Sequence, residues 1–440
     1  MPPTFAQLGV PESICRALER NGIHKPFEIQ AAVIADAMEG RDICGRAPTG
    51  SGKTLAFGIP LIADVGQARP RRPRALILSP TRELADQIAS ELRSISGPIT
   101  VAAVYGGVGY TNQRKQLQKG VDILVACPGR LEDLIDQRAV SLHETDHVVI
   151  DEADRMADMG FLPAVRRILD QTNSERQTVM FSATLDNDVA KLTRDYQNRP
   201  VTHEVGDATP DVRSADHRFW TVEKTERVDV CANVISTAGP TIVFCRTRHG
   251  SDRLARQLSQ RGVNAAAIHG GHAQNRRTRT LREFTDGRVE ALVATDVAAR
   301  GIHVDCVASV IHFDPPEDHK AYLHRSGRTA RAGQTGLVVS LVQNGQHADA
   351  KKVQQRLGLH QPITSPDSID GHTAPSRPRR PLHPRPEGRD KQKPNSKPQG
   401  RGNQTGRQGK NRNGQRSNRR PQGRPQHQKG RKPRSRASSR

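Results

Sequence analysis

The chain has 440 residues, a formal net charge of +22 and 3% aromatic residues. This length allows two or three domains, each with its own core. The six cysteines are far apart and form no closely spaced Cys or His/Cys cluster, which favours free thiols in a reducing compartment over a disulfide framework or a structural metal. No signal-peptide pattern is visible, and no apolar stretch approaches the roughly 20 residues that span a bilayer. We therefore expect a cytoplasmic protein with no membrane partner.

Short apolar runs alternate with amphipathic stretches of helical length along most of the chain. Such runs indicate buried strands of a parallel sheet, linked by helices. Two sets of runs predict two similar α/β domains, residues 1–207 and 217–362, which meet at a cleft and are separated by the polar stretch 206–216. The runs are 75–78, 100–104, 122–126, 147–150 and 177–181 in the first half, and 241–245, 265–268, 291–294, 309–313 and 336–342 in the second.

The C-terminal segment holds most of the charge. Residues 371–440 contain 22 Lys and Arg but two acidic residues, and no Phe, Trp or Tyr. Such a composition cannot bury enough apolar surface to fold, so residues 363–440 are predicted to be a disordered basic tail. The tail is either a solubilising segment or a segment that binds the phosphates of a nucleic acid whatever its base sequence. Its length and scarcity of acids favour RNA binding.

The segment A-P-T-G-S-G-K-T at 47–54 nearly matches the phosphate-loop pattern G-x-x-x-x-G-K-[ST]. It follows a short apolar segment and precedes a predicted helix, the context that such a loop requires. Gly50 and Gly52 would let backbone N–H groups surround an anion, Lys53 would reach the β- and γ-phosphates, and Thr54 would bind magnesium. Because Ala47 replaces the first glycine, the segment alone is equally consistent with an ordinary glycine-rich turn.

A second motif, D-E-A-D at 151–154, follows the predicted strand 147–150. Carboxylates at the C-terminal end of a parallel strand lie where α/β sheets bind ligands. Asp151 suits magnesium and Glu152 suits the orientation of an attacking water. An acidic helix N-terminus is the alternative for this motif taken alone.

With eight further motifs in order, the chain resembles the DEAD-box ATP-dependent RNA helicases over residues 5–333 and is similar to their RhlE-like bacterial type. The resemblance implies two tandem RecA-like domains that form an ATP cleft. The motifs are P-T-R-E-L-A at 80–85, G-G at 106–107, P-G-R at 128–130, S-A-T at 182–184, V-F-C-R-T at 243–247, Q-x-x-R at 274–277, A-T-D-x-x-A-R-G-I at 294–302 and H-R-x-G-R-x-x-R at 324–331.

The resemblance also assigns residues to ATP and Mg²⁺. Gln30 is similar to the glutamine that reads adenine and Phe5 to the aromatic that stacks on it. The remaining nucleotide-binding residues are Ala47, Pro48, Thr49, Gly50, Ser51, Gly52, Lys53, Thr54, Asp296 and Gly301. The catalytic set is Lys53, Asp151, Glu152 and the arginine fingers Arg328 and Arg331, and Thr54 and Asp151 would bind the metal.

On the RNA side, the family positions hold a single strand by its sugar–phosphate backbone. They correspond here to Arg82, Gly107, Arg130, Gln274, Arg277 and Thr295. Ser182 and Thr184 are similar to the hydroxyl residues that link hydrolysis to strand separation. Three positions depart from the family pattern: Phe27 and Cys127 each replace a threonine, and His303 replaces an aspartate that contacts the ribose.

The resemblance implies an enzyme that hydrolyses ATP and unwinds short RNA duplexes or remodels ribonucleoproteins. RNA, single-stranded or in short duplexes, is the expected partner, with ribosome precursors and the mRNA decay machinery as candidate settings. An RNA-binding chaperone and a DNA helicase are the alternatives. The intact Lys53, Glu152 and Arg331 argue against a purely binding role, and the D-E-A-D sequence disfavours DNA.

Overall fold

The computed structural model describes residues 3–47, 50–184, 187–205, 215–299, 307–330 and 336–366, without the side chain of Asn187. These residues belong to one compact unit, Met1–Arg377. Several positions named from the sequence lie outside the described ranges: Pro48, Thr49, Gly301, His303, Arg331 and the predicted tail from residue 367 onward.

The first half of the chain forms a seven-stranded parallel sheet in the order β3-β4-β2-β5-β6-β1-β7. Its strands are β1 (Ile43–Arg46), β2 (Ala75–Leu78), β3 (Val101–Val104), β4 (Ile123–Ala126), β5 (His147–Ile150), β6 (Gln177–Ser182) and β7 (Val201–Glu204). A 3₁₀ turn at Ala6–Leu8 precedes its helices, which are α1 (Glu12–Arg20), α2 (Glu28–Met38), α3 (Lys53–Asp64), α4 (Arg82–Ile95), α5 (Tyr110–Lys119), α6 (Pro128–Asp136), α7 (Ala153–Asp158), α8 (Leu162–Leu169) and α9 (Asn187–Tyr196).

The second half repeats this arrangement. Its parallel sheet has the order β10-β11-β9-β12-β13-β8-β14, which is the first order with each strand number raised by seven. The strands are β8 (Ala215–Thr221), β9 (Thr241–Phe244), β10 (Ala265–Ile268), β11 (Ala291–Ala294), β12 (Ser309–His312), β13 (Gly336–Val342) and β14 (Ile363–Thr364). The helices are α10 (Arg227–Ala238), α11 (Arg248–Ser259), α12 (Gln274–Thr285), α13 (Asp296–Ala299), α14 (His319–Ser326) and α15 (His347–Leu357).

The central strands are apolar because helices cover both faces of each sheet. Every residue of β2, β4, β11 and β13 is buried. Two apolar clusters lie on the two faces of the first sheet and two more on the faces of the second. The predicted fold, two tandem RecA-like α/β domains, is therefore confirmed.

Strands β7, β8 and β14 carry polar residues and were not identified from the sequence. In β7, V-T-H-E, exposed positions alternate with half-buried ones, as at the edge of a sheet. Strand β8 begins at Ala215, inside the stretch assigned to the domain break. Ile363 and Thr364 pair with Phe219 and Trp220, so the second sheet extends two residues past the predicted domain limit at 362.

Among the described residues, no helix has both the length and the apolar character needed to cross a bilayer. The cysteines described there are free thiols: Cys15, Cys44, Cys127, Cys231 and Cys245.

Candidate active site

The phosphate loop connects β1 to the N-terminus of α3. Gly50 and Gly52 have φ values of 88° and 87°, a left-handed backbone that favours glycine. Helix α3 begins at Lys53, so its unpaired N–H groups face the loop. Lys53 donates from Nζ to the carbonyl of the buried Ala47 at 3.0 Å. The described end of the loop thus has left-handed glycines at a helix N-terminus, as an anion cradle requires, and Lys53 reaches back to Ala47.

Gln30 ties helix α2 to this loop. Its Nε2 donates to the Gly52 carbonyl at 2.9 Å, and its Oε1 accepts from the Phe27 N–H at 2.9 Å. A Cβ atom on Gly52 would collide with the Gln30 amide, which is a second reason for glycine there. The amide keeps one N–H and one acceptor lone pair, enough to pair with two edge groups of a base.

The two phenylalanines near Gln30 have opposite environments. Phe5 is 4% exposed and packs into the apolar core of the first domain, whereas Phe27 is 61% exposed. The resemblance predicts that Phe5 stacks on the adenine ring, and this stays a prediction. In the structure, the accessible ring beside Gln30 is that of Phe27.

Asp151 and Glu152 follow β5 and are both buried, at 3% and 8% exposure. Glu152 has a left-handed backbone with φ of 54°, and its N–H donates to Asp151 Oδ1 at 3.0 Å. Burial raises the pKa of Asp151 to about 7 against the lowering effect of Lys53. Burial also disfavours ionised Glu152, but the charges of Arg155, Lys53 and Arg328 hold its pKa at about 2. Two adjacent carboxyl groups therefore have pKa values shifted in opposite directions.

Arg155 was not identified from the sequence. Its Nη1 lies 2.5 Å from Glu152 Oε2, and both side chains are buried. The two residues are three positions apart at the start of α7, a spacing that brings helical side chains together, so the sequence did contain a local signal.

The second domain contributes residues that lie near Glu152 and Asp154 of the first. Arg328 follows α14, is 6% exposed, and is close enough to Glu152 to lower its pKa. Burial lowers the pKa of His324, while Asp154 and Asp158 of the first domain raise it. Both residues border a depression of about 220 Å³, lined by Phe244, Asp296, Ala299, Ala321, His324, Arg325 and Arg328. The candidate site is thus built from both domains.

Asp296 is engaged by Arg325 in a bidentate ion pair with distances of 2.6 and 2.7 Å. Arg325 also donates to the Asp314 carbonyl at 2.7 Å and is 2% exposed. The resemblance predicts that Asp296 lies on the nucleotide side of the cleft, and this stays a prediction. The structure shows that the carboxylate is held by Arg325 of α14, which lies in the same motif as Arg328.

The S-A-T segment contacts the D-E-A-D segment through one hydroxyl. Ser182 Oγ accepts from the Asp154 N–H at 3.2 Å and donates to the Thr184 carbonyl at 2.6 Å. Thr184 therefore contributes its backbone oxygen to this chain of hydrogen bonds, and its side chain is exposed. The predicted hydrogen bonding between the two motifs is therefore present, through the Ser182 hydroxyl and the Thr184 carbonyl.

Of the expected RNA contacts in the first domain, Arg82 and Gly107 lie together. Gly107 has φ of 81°, and any side chain there would collide with the Arg82 guanidinium. Arg130 is 8% exposed. It donates twice to the Val108 carbonyl at 3.1 Å and covers the Tyr110 ring at 4.0 Å. Arg130 thus supports the loop that carries Gly107.

The expected RNA contacts in the second domain are buried. Gln274 Nε2 donates to Glu83 Oε1 of the first domain at 2.8 Å, and Arg277 Nη2 lies 3.0 Å from Glu83 Oε2. Thr295 is 8% exposed, and its carbonyl accepts from the N–H groups of Ala298 and Ala299 in α13. Gln274 and Arg277 therefore join the two domains directly.

A cluster of Asp252, His269 and His272 lies before α12, with ligand-type atoms within 4.8 Å of one another. Local spacing does not reveal this cluster, because Asp252 is 17 residues from His269. His269 Nδ1 accepts from the Gly271 N–H at 3.2 Å, so the proton is on Nε2 and points at Asp252, 3.0 Å away. In this arrangement the three side chains are joined by a hydrogen bond between His269 and Asp252.

Comparison with protein families gives two matches. Residues 27–192 match the DEAD/DEAH box helicase model, and residues 221–333 match the helicase conserved C-terminal domain.

Individual relatives agree with these families. The chain is 36% identical over 376 residues to the DEAD-box ATP-dependent RNA helicase CshA of Geobacillus kaustophilus, covering 84% of this chain and 80% of the relative. It is 40% identical over 378 residues to the chloroplastic DEAD-box ATP-dependent RNA helicase 3B of Zea mays, covering 83% of this chain. It spans about half, 51%, of that longer relative. A solved structure of S. cerevisiae Dbp5 bound to RNA and ADP BeF3 has 26% identity and a TM-score of 0.72, covering 82% of this chain and 95% of Dbp5.

Proposed function

Because the chain belongs to the family of DEAD-box ATP-dependent RNA helicases, we propose that it hydrolyses ATP and separates short RNA duplexes or remodels ribonucleoproteins. The observation that supports this most is the composite site. Arg328 of the second domain acts electrostatically on Glu152 of the first. Hydrolysis would then depend on the contact between the domains, which RNA binding can control.

The residues around the phosphate loop fit Mg²⁺ and ATP. The left-handed glycines, the N-terminus of α3 and Lys53 suit the phosphates. Asp151 is a carboxyl whose pKa is raised by burial, and Thr54 is the second residue of α3. When bound, Mg²⁺ would neutralise charge on the phosphates. Asp151 and Thr54 are the residues that would hold it.

Glu152 is the residue suited to orienting the attacking water. It remains ionised at neutral pH, so its carboxylate can accept a hydrogen bond from the attacking water and orient it. Arg155 fixes the orientation of that carboxylate, while Arg328 supplies positive charge from the opposite domain. Arg331 would add a second cation, as its motif implies.

RNA would bind at Arg82, Gly107 and Thr295. Gly107 lets the Arg82 guanidinium lie against its backbone, and Arg82 is only partly buried, so that guanidinium can pair with a phosphate. Gln274 and Arg277 would act chiefly by joining the domains through Glu83, with any RNA contact added to that role.

We further propose that the protein works in the cytoplasm and is of the RhlE-like type. Its described cysteines are free thiols, which fits a reducing compartment. Ribosome precursors and the mRNA decay machinery are its candidate partners. Crosslinking of the tagged chain to cellular RNA, followed by sequencing, would distinguish rRNA precursors from mRNA.

The deciding experiment is ATP hydrolysis by the purified chain with no nucleic acid, with single-stranded RNA, or with single-stranded DNA of equal length. We expect strong stimulation by RNA only. Stimulation by DNA as well would favour a DNA helicase. RNA binding without hydrolysis would favour an RNA chaperone.

A further inference from the structure

Three side chains of the second domain bring metal-binding atoms together. Asp252 lies on α11, and His269 and His272 lie in the loop between β10 and α12. One ligand-type atom from each residue lies within 4.8 Å of the other two. His269 Nε2 is 3.0 Å from Asp252 Oδ2, and His272 Nε2 is 3.4 Å from Asp252 Oδ1. Both imidazole rings therefore face one carboxylate.

The spacing of these atoms is close to that of a zinc site. In a tetrahedral site, bonds of about 2.0–2.1 Å place neighbouring ligand atoms about 3.3 Å apart. The two nitrogen–oxygen distances in the cluster, 3.0 and 3.4 Å, lie on either side of that value. Two imidazoles and one carboxylate form a ligand set that zinc-like ions use, with water in the fourth position. The Asp252 side chain is 42% exposed, so an ion can enter from solvent.

His272 has a lone pair that no hydrogen bond uses. Its side chain is 6% exposed, and its Nδ1 has no hydrogen-bond partner within the described part of the chain. A neutral imidazole has one N–H and one lone pair. With the proton on Nε2, the lone pair is on the unpartnered Nδ1; with the proton on Nδ1, the lone pair points at the Asp252 carboxylate, which cannot donate when ionised. A bound cation is the kind of partner that either arrangement lacks.

The two rings also suit the neutral form that binds metals. The centroids of the His269 and His272 rings are 3.8 Å apart, a distance at which two positive charges would repel strongly. Burial lowers the pKa of His272, and the charges of His269 and Arg276 act in the same direction. A neutral ring needs to lose no proton in order to bind a metal.

Two features of the cluster oppose a bound cation. The positive charge of Arg276 acts on both Asp252 and His272. In addition, His269 Nδ1 accepts a hydrogen bond of 3.2 Å from the Gly271 N–H. For Nε2 to bind a metal, the ring proton must move from Nε2 to Nδ1, so the ring stays neutral but this hydrogen bond is lost. We therefore expect weaker binding than at a structural zinc site made of four protein ligands.

We propose that Asp252, His269 and His272 form a binding site for a divalent transition metal of the zinc class. The site differs in chemistry from the Mg²⁺ site proposed at Asp151 and Thr54, because it offers nitrogen as well as oxygen. Helix α12 begins at Gln274, two residues after His272. A bound metal would tie the loop before α12 to α11 and so hold the start of the helix whose Gln274 side chain donates to Glu83.

The test is a calorimetric titration of the full chain with Zn²⁺ in excess Mg²⁺, which fills oxygen sites but binds imidazole poorly. We expect one site per chain. Asp252→Asn and His272→Ala should each weaken it about a hundredfold or more, since loss of an outer-shell partner alone costs about 10–100-fold. His249→Ala, which removes an exposed histidine of the same helix, is the matched control and should bind as wild type.

Visible absorption of Co²⁺ gives a second readout that needs no variant. Cobalt absorbs strongly in a tetrahedral site with nitrogen ligands and weakly in an octahedral site of oxygens, so the spectrum reports the geometry. Addition of Co²⁺ to wild type should produce the strong bands, and Zn²⁺ should remove them. Far-UV circular dichroism would establish that the variants fold.

Three results would overturn the proposal. Wild type could show only the weak bands of Co²⁺, folded Asp252→Asn and His272→Ala could bind Zn²⁺ as wild type does, or His249→Ala could lose as much affinity as they do. If the two site variants do not fold, the Co²⁺ spectrum of wild type decides alone. These measurements use neither ATP nor RNA, so the metal site and the proposed function can fail independently of each other.

Discussion

Arg277 of the second domain forms an ion pair with Glu83 of the first, with 3.0 Å between Nη2 and Oε2 and both side chains 7% exposed. Gln274 donates to the same carboxylate. A buried cation that loses its partner costs about 3–5 kcal/mol. The contact between the domains should therefore depend strongly on the charge of Glu83.

Replacing this carboxylate by its neutral isostere tests that dependence. We expect Glu83→Gln to lower RNA-stimulated kcat about tenfold or more and to raise the RNA concentration for half-stimulation, because Arg277 would be buried unpaired in the closed form. ADP binding, which uses the first domain, should change little. Glu19→Gln on the exposed face of α1 is a matched control. Equal kinetics in both variants would show that the ion pair does not contribute to closure.

Glu152→Gln should abolish hydrolysis while nucleotide and RNA binding persist. The amide cannot act as a general base, a role that contributes roughly 10²–10⁴-fold, whereas Asp151 and Lys53 remain in place. Steady-state ATPase and filter binding of RNA in the presence of ATP would measure both effects. Normal turnover would contradict the role given to Glu152.

Arg328→Ala should reduce kcat far more than it weakens ADP binding. An arginine finger contributes about 10³–10⁵ to kcat, and loss of its charge should also raise the pKa of Glu152. Arg328→Lys keeps the charge but not the planar fork, so partial rescue separates electrostatics from geometry. The sequence predicts the same loss for Arg331→Ala. A drop in ADP affinity matching the drop in kcat would assign Arg328 to ground-state binding.

Mg²⁺ binding should strengthen as pH rises toward neutrality. The pKa of Asp151 is about 7 without metal, above its ordinary value, so this carboxyl is protonated at lower pH and must lose its proton to bind the cation. Below pH 7, each unit should weaken Mg²⁺–ADP binding by up to about tenfold, and proton release should fall off above pH 7. Calorimetry in buffers of different ionisation heat would detect that proton. Asp151→Asn should remove the release.

Deletion of residues 371–440 should flatten the salt dependence of RNA binding. Each neutralised phosphate contributes about −0.7 to the slope of log affinity against log salt on a single strand. Maximal ATPase at saturating RNA should change little, because the catalytic residues lie upstream, but more RNA should be needed for half-stimulation. An unchanged slope would show that the tail does not bind RNA, and a collapsed maximal rate would show that it takes part in catalysis.

Local patterns predicted the fold well. The runs at β2, β5, β10, β11 and β13 match the observed strands residue for residue. In the fully buried β2, β11 and β13 this follows because strands covered on both faces are nearly continuously apolar. Polar β8 gave no such signal, since it lies near the edge of its sheet beside the two-residue β14.

Motifs identified which residues meet at the site but not which atoms they use. The bond between Gln274 and Glu83 joins positions 191 residues apart, which no local period reveals. The pairing of Asp296 with Arg325 and the burial of Phe5 likewise depend on tertiary packing.

The identical strand order of the two sheets has a consequence for stoichiometry. Strand β1 leads into the glycine loop and α3, whereas its counterpart β8 leads into residues 222–226, V-E-K-T-E, which contain no glycine. The repeated frame thus has left-handed glycines and a helix N-terminus after β1 of its first copy, while the second copy brings Arg328 near Glu152. Under the proposed function, the two halves would bind one nucleotide between them, and each turnover would change the contact between the halves.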